Sequence, residues 1–264
     1  MKTKLLEIIY QQQSFQIEYF VRPGKEKTIL FIHGLGCSKN DFSAALNIDE
    51  LQEHTIAAFD FPGCGNSSYP EHLSLGMDDL VEITKLIVEK LSLERFVVLG
   101  HSMGGLVALL YCLKYKEQVI GFINVEGNLA SEDCFLSRKI LQLSFTEFLE
   151  TALPELKEKL SQSENIGFRK YLETLEKYSS PKAYYDFCPS LVDYSDNGNL
   201  IQQFINLKIP KIFIYGSENS SLSYIPLLKN EGCETTEIAN SGHALFYDNP
   251  KGFYKAVSIF LKTK

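Results

Sequence analysis

The chain has 264 residues, with 26 Lys or Arg against 33 Asp or Glu and a net charge of −7. Its basic residues are spread along the chain rather than clustered, which argues against a nucleic-acid partner. A content of 45% hydrophobic and 22% charged residues suits one large globular α/β domain carrying an insertion.

Lys2 and Lys4 precede Leu5-Leu6-Glu7-Ile8-Ile9, a stretch too short and too charged for a signal peptide, and no run is long enough to span a membrane. The six cysteines (37, 64, 112, 134, 188 and 233) form no C-x-x-C and no paired Cys/His spacing. Neither a metal nor a redox cofactor is expected, and reduced, mostly buried thiols favour the cytoplasm.

Phe15 to Val21 alternates apolar and polar residues, as a half-buried strand near a sheet edge does. Thr28 to Ile32 is continuously apolar, as expected of a central strand, and runs into His33-Gly34-Leu35-Gly36. Thr55 to Phe59 repeats the pattern and runs into Asp60-Phe61-Pro62-Gly63-Cys64-Gly65-Asn66-Ser67, where Pro and Gly force an irregular loop. Met77 to Leu91 predicts an amphipathic helix with Leu80, Ile83, Ile87 and Leu91 on one face.

Arg95 to Leu99 predicts a buried strand, and Leu106 to Leu113 a helix apolar on nearly every side. Between them lies Gly100-His101-Ser102-Met103-Gly104-Gly105. A sharp strand-to-helix turn of this G-x-S-x-G type exposes its serine above the free N–H groups of a helix N-terminus, so Ser102 is a candidate nucleophile. Val119 to Val125 is the next strand and ends at Glu126-Gly127-Asn128.

From 129 to 206 apolar residues recur at helical spacing, and Pro154, Gly167, Pro181 and Pro189 divide the stretch into several short helices. Its aromatics (Phe168, Tyr171, Tyr178, Tyr184, Tyr185, Phe187, Tyr194) pack the insertion or line an apolar pocket. Strand alternation resumes with Ile209 to Tyr215, a short helix at 223–229 and a strand at 235–239. Asn240-Ser241-Gly242-His243 and a closing helix at 253–261 complete the chain. Strands alternating with helices predict a mostly parallel sheet flanked by helices, whose ligand site lies at the carboxyl ends of the strands. His33, Ser102 and Glu126 all follow strand ends and so share that edge.

In this order the segments resemble the α/β-hydrolase superfamily, in its serine-nucleophile branch with a helical cap. The resemblance covers 1–128 and 207–264 as the core, with 129–206 as the cap. His33-Gly34-Leu35-Gly36 looks like the family's oxyanion loop, the 60–67 stretch like its D-x-P-G-x-G-x-S loop, Gly100–Gly105 like its nucleophile elbow and Ser241-Gly242-His243 like the loop carrying its histidine. Ser102 needs a base, and His243 is the candidate; His101 should diverge from Ser102 at the turn, and His33 is better suited to fixing its own loop. The backbone N–H groups of Leu35 and Met103 are the expected oxyanion donors.

The third partner departs from the common pattern. The resemblance places an Asp where Asn219 stands, and an amide cannot stabilise an imidazolium. Glu126 and Glu218 are the alternatives, with Glu126 favoured as the acid because it ends the strand after the nucleophile helix. The expected activity is a serine hydrolase of the carboxylesterase type, cleaving a small apolar ester or related acyl substrate through an acyl-enzyme. A thioesterase, a C–C hydrolase or lyase, and a non-catalytic small-molecule-binding member of the fold remain open, as does the oligomeric state.

Overall fold

The computed structural model describes residues 2–264. Eight strands form one sheet: β1 (Lys4–Tyr10), β2 (Gln13–Arg22), β3 (Thr28–Ile32), β4 (Thr55–Phe59), β5 (Phe96–His101), β6 (Val119–Val125), β7 (Lys211–Gly216) and β8 (Glu234–Ile238). Their order is β1-β2-β4-β3-β5-β6-β7-β8; β1 with β2 and β2 with β4 are antiparallel, and all later pairs are parallel. The central strands β3, β5 and β6 are buried over almost their whole length, because helices cover both faces of the sheet. From β3 the chain steps to one side for β4 and then crosses to the other for β5. That reversal opens a crevice beyond the carboxyl ends of β3 and β5, where His33–Gly36 and Ser102 lie.

Two apolar layers sandwich the sheet. On one face α1 (Met77–Lys90) buries Leu80, Ile83, Ile87 and Val88, beside α2 (Met103–Lys114), which is buried nearly all round. On the other, 3-10 turns at Lys39–Asn47 and Asp49–Leu51 pack Phe42 and Leu51 against the C-terminal helices.

The chain between β6 and β7 holds helices and no named strand among the described residues. They are α3 (Ser137–Ile140), α4 (Phe145–Glu147), α5 (Leu153–Ser161), α6 (Ile166–Tyr178), α7 (Pro181–Asn197) and α8 (Leu200–Asn206). The last helices are α9 (Ile225–Asn230), α10 (Leu245–Asp248) and α11 (Pro250–Thr263). The inter-strand helices are sewn to the loop after β4 by backbone bonds: the Gly65 N–H donates to the Tyr178 carbonyl at 2.6 Å, and the Ser180 N–H to the Gly63 carbonyl at 2.7 Å. Phe187, Leu191 and Phe204 of these helices belong to the main core on the α1/α2 face.

Two local features differ from the sequence reading. Lys4–Tyr10 is a full edge strand, so β2 lies one place inside the edge; Leu5 and Ile9 sit 60% and 69% exposed while Ile8 is buried. Apolar residues on both faces of β1 erase the alternation that would have marked it. Pro189 divides no helices: it lies inside the 17-residue α7, on its exposed side. There the missing proline N–H leaves only the Tyr185 carbonyl without its helical partner, and burial of Tyr184, Phe187, Cys188 and Leu191 holds the helix across the break.

Candidate active site

Ser102 sits between the end of β5 and the first residue of α2 with φ 54° and ψ −126°, a conformation that a non-glycine residue adopts only under constraint. Close packing supplies it. A Cβ on Gly104 would strike the Ile32 and His33 carbonyls, and one on Gly105 would strike the Gly127 Cα, so only glycine lets the turn seat against β3 and β6. The Ser102 N–H donates to the Val125 carbonyl at 3.1 Å, and the Ser102 carbonyl accepts from Gly105 at 2.8 Å.

Glu126 ends β6 in a second strained turn, with φ 43°, and is 4% exposed. Its N–H donates to the Ile214 carbonyl at 3.0 Å. Its carboxylate reaches His243, whose Nδ1 lies 2.6 Å from Oε2. Oε1 also accepts from the Gly216 N–H at 2.7 Å, and the Asn219 amide nitrogen reaches Oε1 at 3.0 Å and Oε2 at 2.8 Å. Glu218, the other carboxylate considered, is exposed and turned toward Gly242.

The His243 ring is 32% exposed. Burial lowers its pKa, but the hydrogen bond and charge of Glu126 outweigh that, so the net shift is upward from the ordinary histidine value. His101 diverges from Ser102: its Nε2 donates to the His243 carbonyl at 2.9 Å, and the two rings lie 4.7 Å apart. Burial, and then the charge His243 can carry, hold the His101 pKa well below the ordinary value, so it stays neutral beside its neighbour. His33 is also buried. Its Nε2 accepts from the Phe61 N–H at 3.1 Å, which leaves Nδ1 to donate to the Gly34 carbonyl at 2.9 Å. Burial lowers its pKa to about 4.

The loop around His33 rests on a buried ion pair. Lys39 Nζ lies 2.7 Å from Asp60 and 2.5 Å from Glu18, and the Lys39 N–H donates to Asp60 at 2.7 Å. Burial, opposed by Lys39, leaves the Asp60 pKa raised to about 6. Among the described residues, neither the Leu35 nor the Met103 N–H has a hydrogen-bond partner outside regular secondary structure. As the first residue of α2, Met103 has no intrahelical acceptor either.

Ser102, His101, His243 and Leu35 border one cavity of about 370 Å³. Leu136, Leu160, Phe168, Tyr171 and Leu191 make most of its wall apolar, and Asp133, Lys159 and Gln162 add polar points. Of the aromatics singled out between 129 and 206, Phe168, Tyr171 and Tyr184 reach this cavity. Phe187 packs in the core, Tyr185 meets Phe145 edge-on and Phe148 at a tilt, and the Tyr194 hydroxyl donates to Asp78. In the sequence Asn219 marks only an absent acid, and its donation to Glu126 is not visible there. The signal available was that β7 runs beside β6, which sets the turns after them against each other.

Among the described residues, no group of three or more His, Cys, Asp or Glu could hold a metal ion, and no helix is long and apolar enough to cross a membrane. A curated relative, a Mycoplasma pneumoniae protein provisionally named esterase/lipase 2, is 26% identical over 133 residues, half the length of each chain. The match to human monoacylglycerol lipase ABHD6 is longer, at 23% identity over 96% of this chain and 80% of that one. Proline iminopeptidase of Lactobacillus acidophilus is 23% identical over 85% and 86%. A carboxylesterase structure from the thaumarchaeon Nitrososphaera gargenis superposes over 98% of both chains with a TM-score of 0.80 at 16% identity. The family described as alpha/beta hydrolase fold matches residues 27–250, and to that family this chain belongs.

Proposed function

We propose that the protein is a serine hydrolase of small apolar esters. The observation that carries this reading is the 2.6 Å contact between Glu126 and His243 Nδ1, with Ser102 opening on the same cavity as the His243 ring. A proton held on Nδ1 by Glu126 leaves Nε2 free to take the Ser102 proton as the hydroxyl attacks the ester carbonyl. Glu126 then offsets the charge of the imidazolium without accepting its proton. The Leu35 and Met103 N–H groups, committed to nothing else, suit the developing oxyanion, and one such donor is worth about 10²–10³ in kcat. The protonated His243 next gives its proton to the departing alcohol. Water, activated by the same nitrogen, hydrolyses the acyl-enzyme, and no step calls on a metal or organic cofactor.

Residues 129–206 serve as the cap over the 1–128 and 207–264 core and supply the apolar wall that holds the acyl group. The similarity to proteins named as esterases and lipases agrees with that substrate class. Six free cysteines, five of them buried, support a reducing cytoplasmic setting. The test is labelling with a fluorophosphonate probe alongside turnover of p-nitrophenyl butyrate. Wild type is expected to label and turn over and Ser102→Ala to do neither. A wild type indistinguishable from Ser102→Ala in both assays would leave a binding role in place of catalysis.

A further inference from the structure

A glutamate delivering a carboxylate to histidine has a longer side chain to fix than an aspartate has, and its last torsion is broad. In this site the Gly216 N–H holds one oxygen, Oε1, at 2.7 Å, which by itself leaves the carboxylate plane free to turn about that anchor. The Asn219 amide nitrogen reaches both oxygens, at 3.0 and 2.8 Å, and so fixes the plane with Oε2 directed at His243 Nδ1. Asn219 comes from the turn after β7, Gly216 from the end of the same strand, and Glu126 from the end of β6. Two adjacent strands therefore close on one carboxylate.

From this geometry we infer that Asn219 is a positioning residue for the reaction, acting on His243 through Glu126. The inference rests on Glu126 being the acid of the proposed hydrolase. It also accounts for an amide at 219. A carboxylate in the same place would lie within hydrogen-bond distance of Glu126, and the two would share a proton, drawing charge and hydrogen bonding away from the His243 contact.

A double-mutant cycle with p-nitrophenyl butyrate tests this. Asn219→Ala is expected to lower kcat by about 10- to 100-fold with KM held within about twofold, the pattern of a misaligned reacting group. In a Glu126→Gln background the same substitution should cost less than about twofold, because the carboxylate it positions is gone. A merely structural Asn219 would give additive losses. The isosteric Asn219→Asp, which keeps the packing and shares a proton with Glu126, should move the acid limb of kcat/KM to lower pH, since the charge and hydrogen bonding that face His243 are weakened. An additive cycle, or an Asn219→Asp acid limb coinciding with that of wild type, overturns the inference. If Glu126→Gln alone retains wild-type kcat, the acid assignment falls, and the inference falls with it. If Glu126→Gln is crippled and Asn219→Ala is not, the inference alone fails.

Discussion

Replacing Glu126 with Gln changes one atom and almost no volume, and the surrounding donors dictate what that atom does. The Gly216 N–H is a backbone donor fixed 2.7 Å from Oε1, so the glutamine oxygen must take that position. The new NH₂ then occupies the place of Oε2, facing His243 Nδ1 across 2.6 Å. A donor there forces Nδ1 to accept, which puts the ring proton on Nε2, the nitrogen that receives the serine proton in the proposed mechanism. The variant thus loses the negative charge that stabilises the imidazolium and also holds the wrong tautomer. Losses of about 10³–10⁴ in kcat follow an acid-to-amide change of this kind, or roughly 4–5.5 kcal/mol of transition-state stabilisation. KM should change little, because Glu126 is buried behind His243 and absent from the cavity wall. Steady-state kinetics on p-nitrophenyl butyrate, with circular dichroism to verify folding, gives the answer. A Glu126→Gln enzyme within about tenfold of wild-type kcat would refute the reasoning, and Glu218→Gln, altering an exposed side chain, serves as the unaffected control.

Other consequences can be measured independently. Because Glu126 outweighs burial and raises the His243 pKa, the acid limb of wild-type kcat/KM should lie above the ordinary value of 6.5, and residual Glu126→Gln activity should show it at lower pH. His33 has its pKa lowered to about 4, so the unfolded chain binds the extra proton below 6.5 and the folded state loses stability as pH falls. Urea unfolding at about pH 7 and 5 should show about 2 kcal/mol of this loss in wild type and not in His33→Asn; equal pH dependence in the two would refute it. Lys39→Met leaves Asp60 without its buried cation and should cost about 3 to 5 kcal/mol, much of which Lys39→Met/Asp60→Asn recovers. Failure of the second change to restore stability would show that the pair is not the source of the loss.

The parts legible in the sequence were those written as local patterns. Apolar runs ending in Gly-rich turns mark β3, β5 and β6, and they put His33, Ser102 and Glu126 on one edge of the sheet. His243 was legible because its loop follows the last strand. What stayed hidden depends on neighbours distant in the chain. Lys4–Tyr10 becomes a strand because β2 offers it an edge, and Pro189 stays helical because α7 buries the opposite face. The donation from Asn219 to Glu126 spans 93 positions, and the Lys39–Asp60 pair brings a lysine that reads as surface into the interior. A one-dimensional pattern carries none of these contacts.

The two backbone bonds that tie Gly63 and Gly65 to Ser180 and Tyr178 bear on how this scaffold can be re-engineered. They make the loop after β4 and the start of α7 a single seam, so the helices lining the cavity are not an interchangeable module. Exchanging residues 129–206 for those of another hydrolase would leave the Gly65 N–H without its matched acceptor and the Gly63 carbonyl without its matched donor. A productive chimera has to carry the 60–67 loop along with the transplanted helices, and selectivity in this protein is inherited as a pair of segments that must be shuffled together.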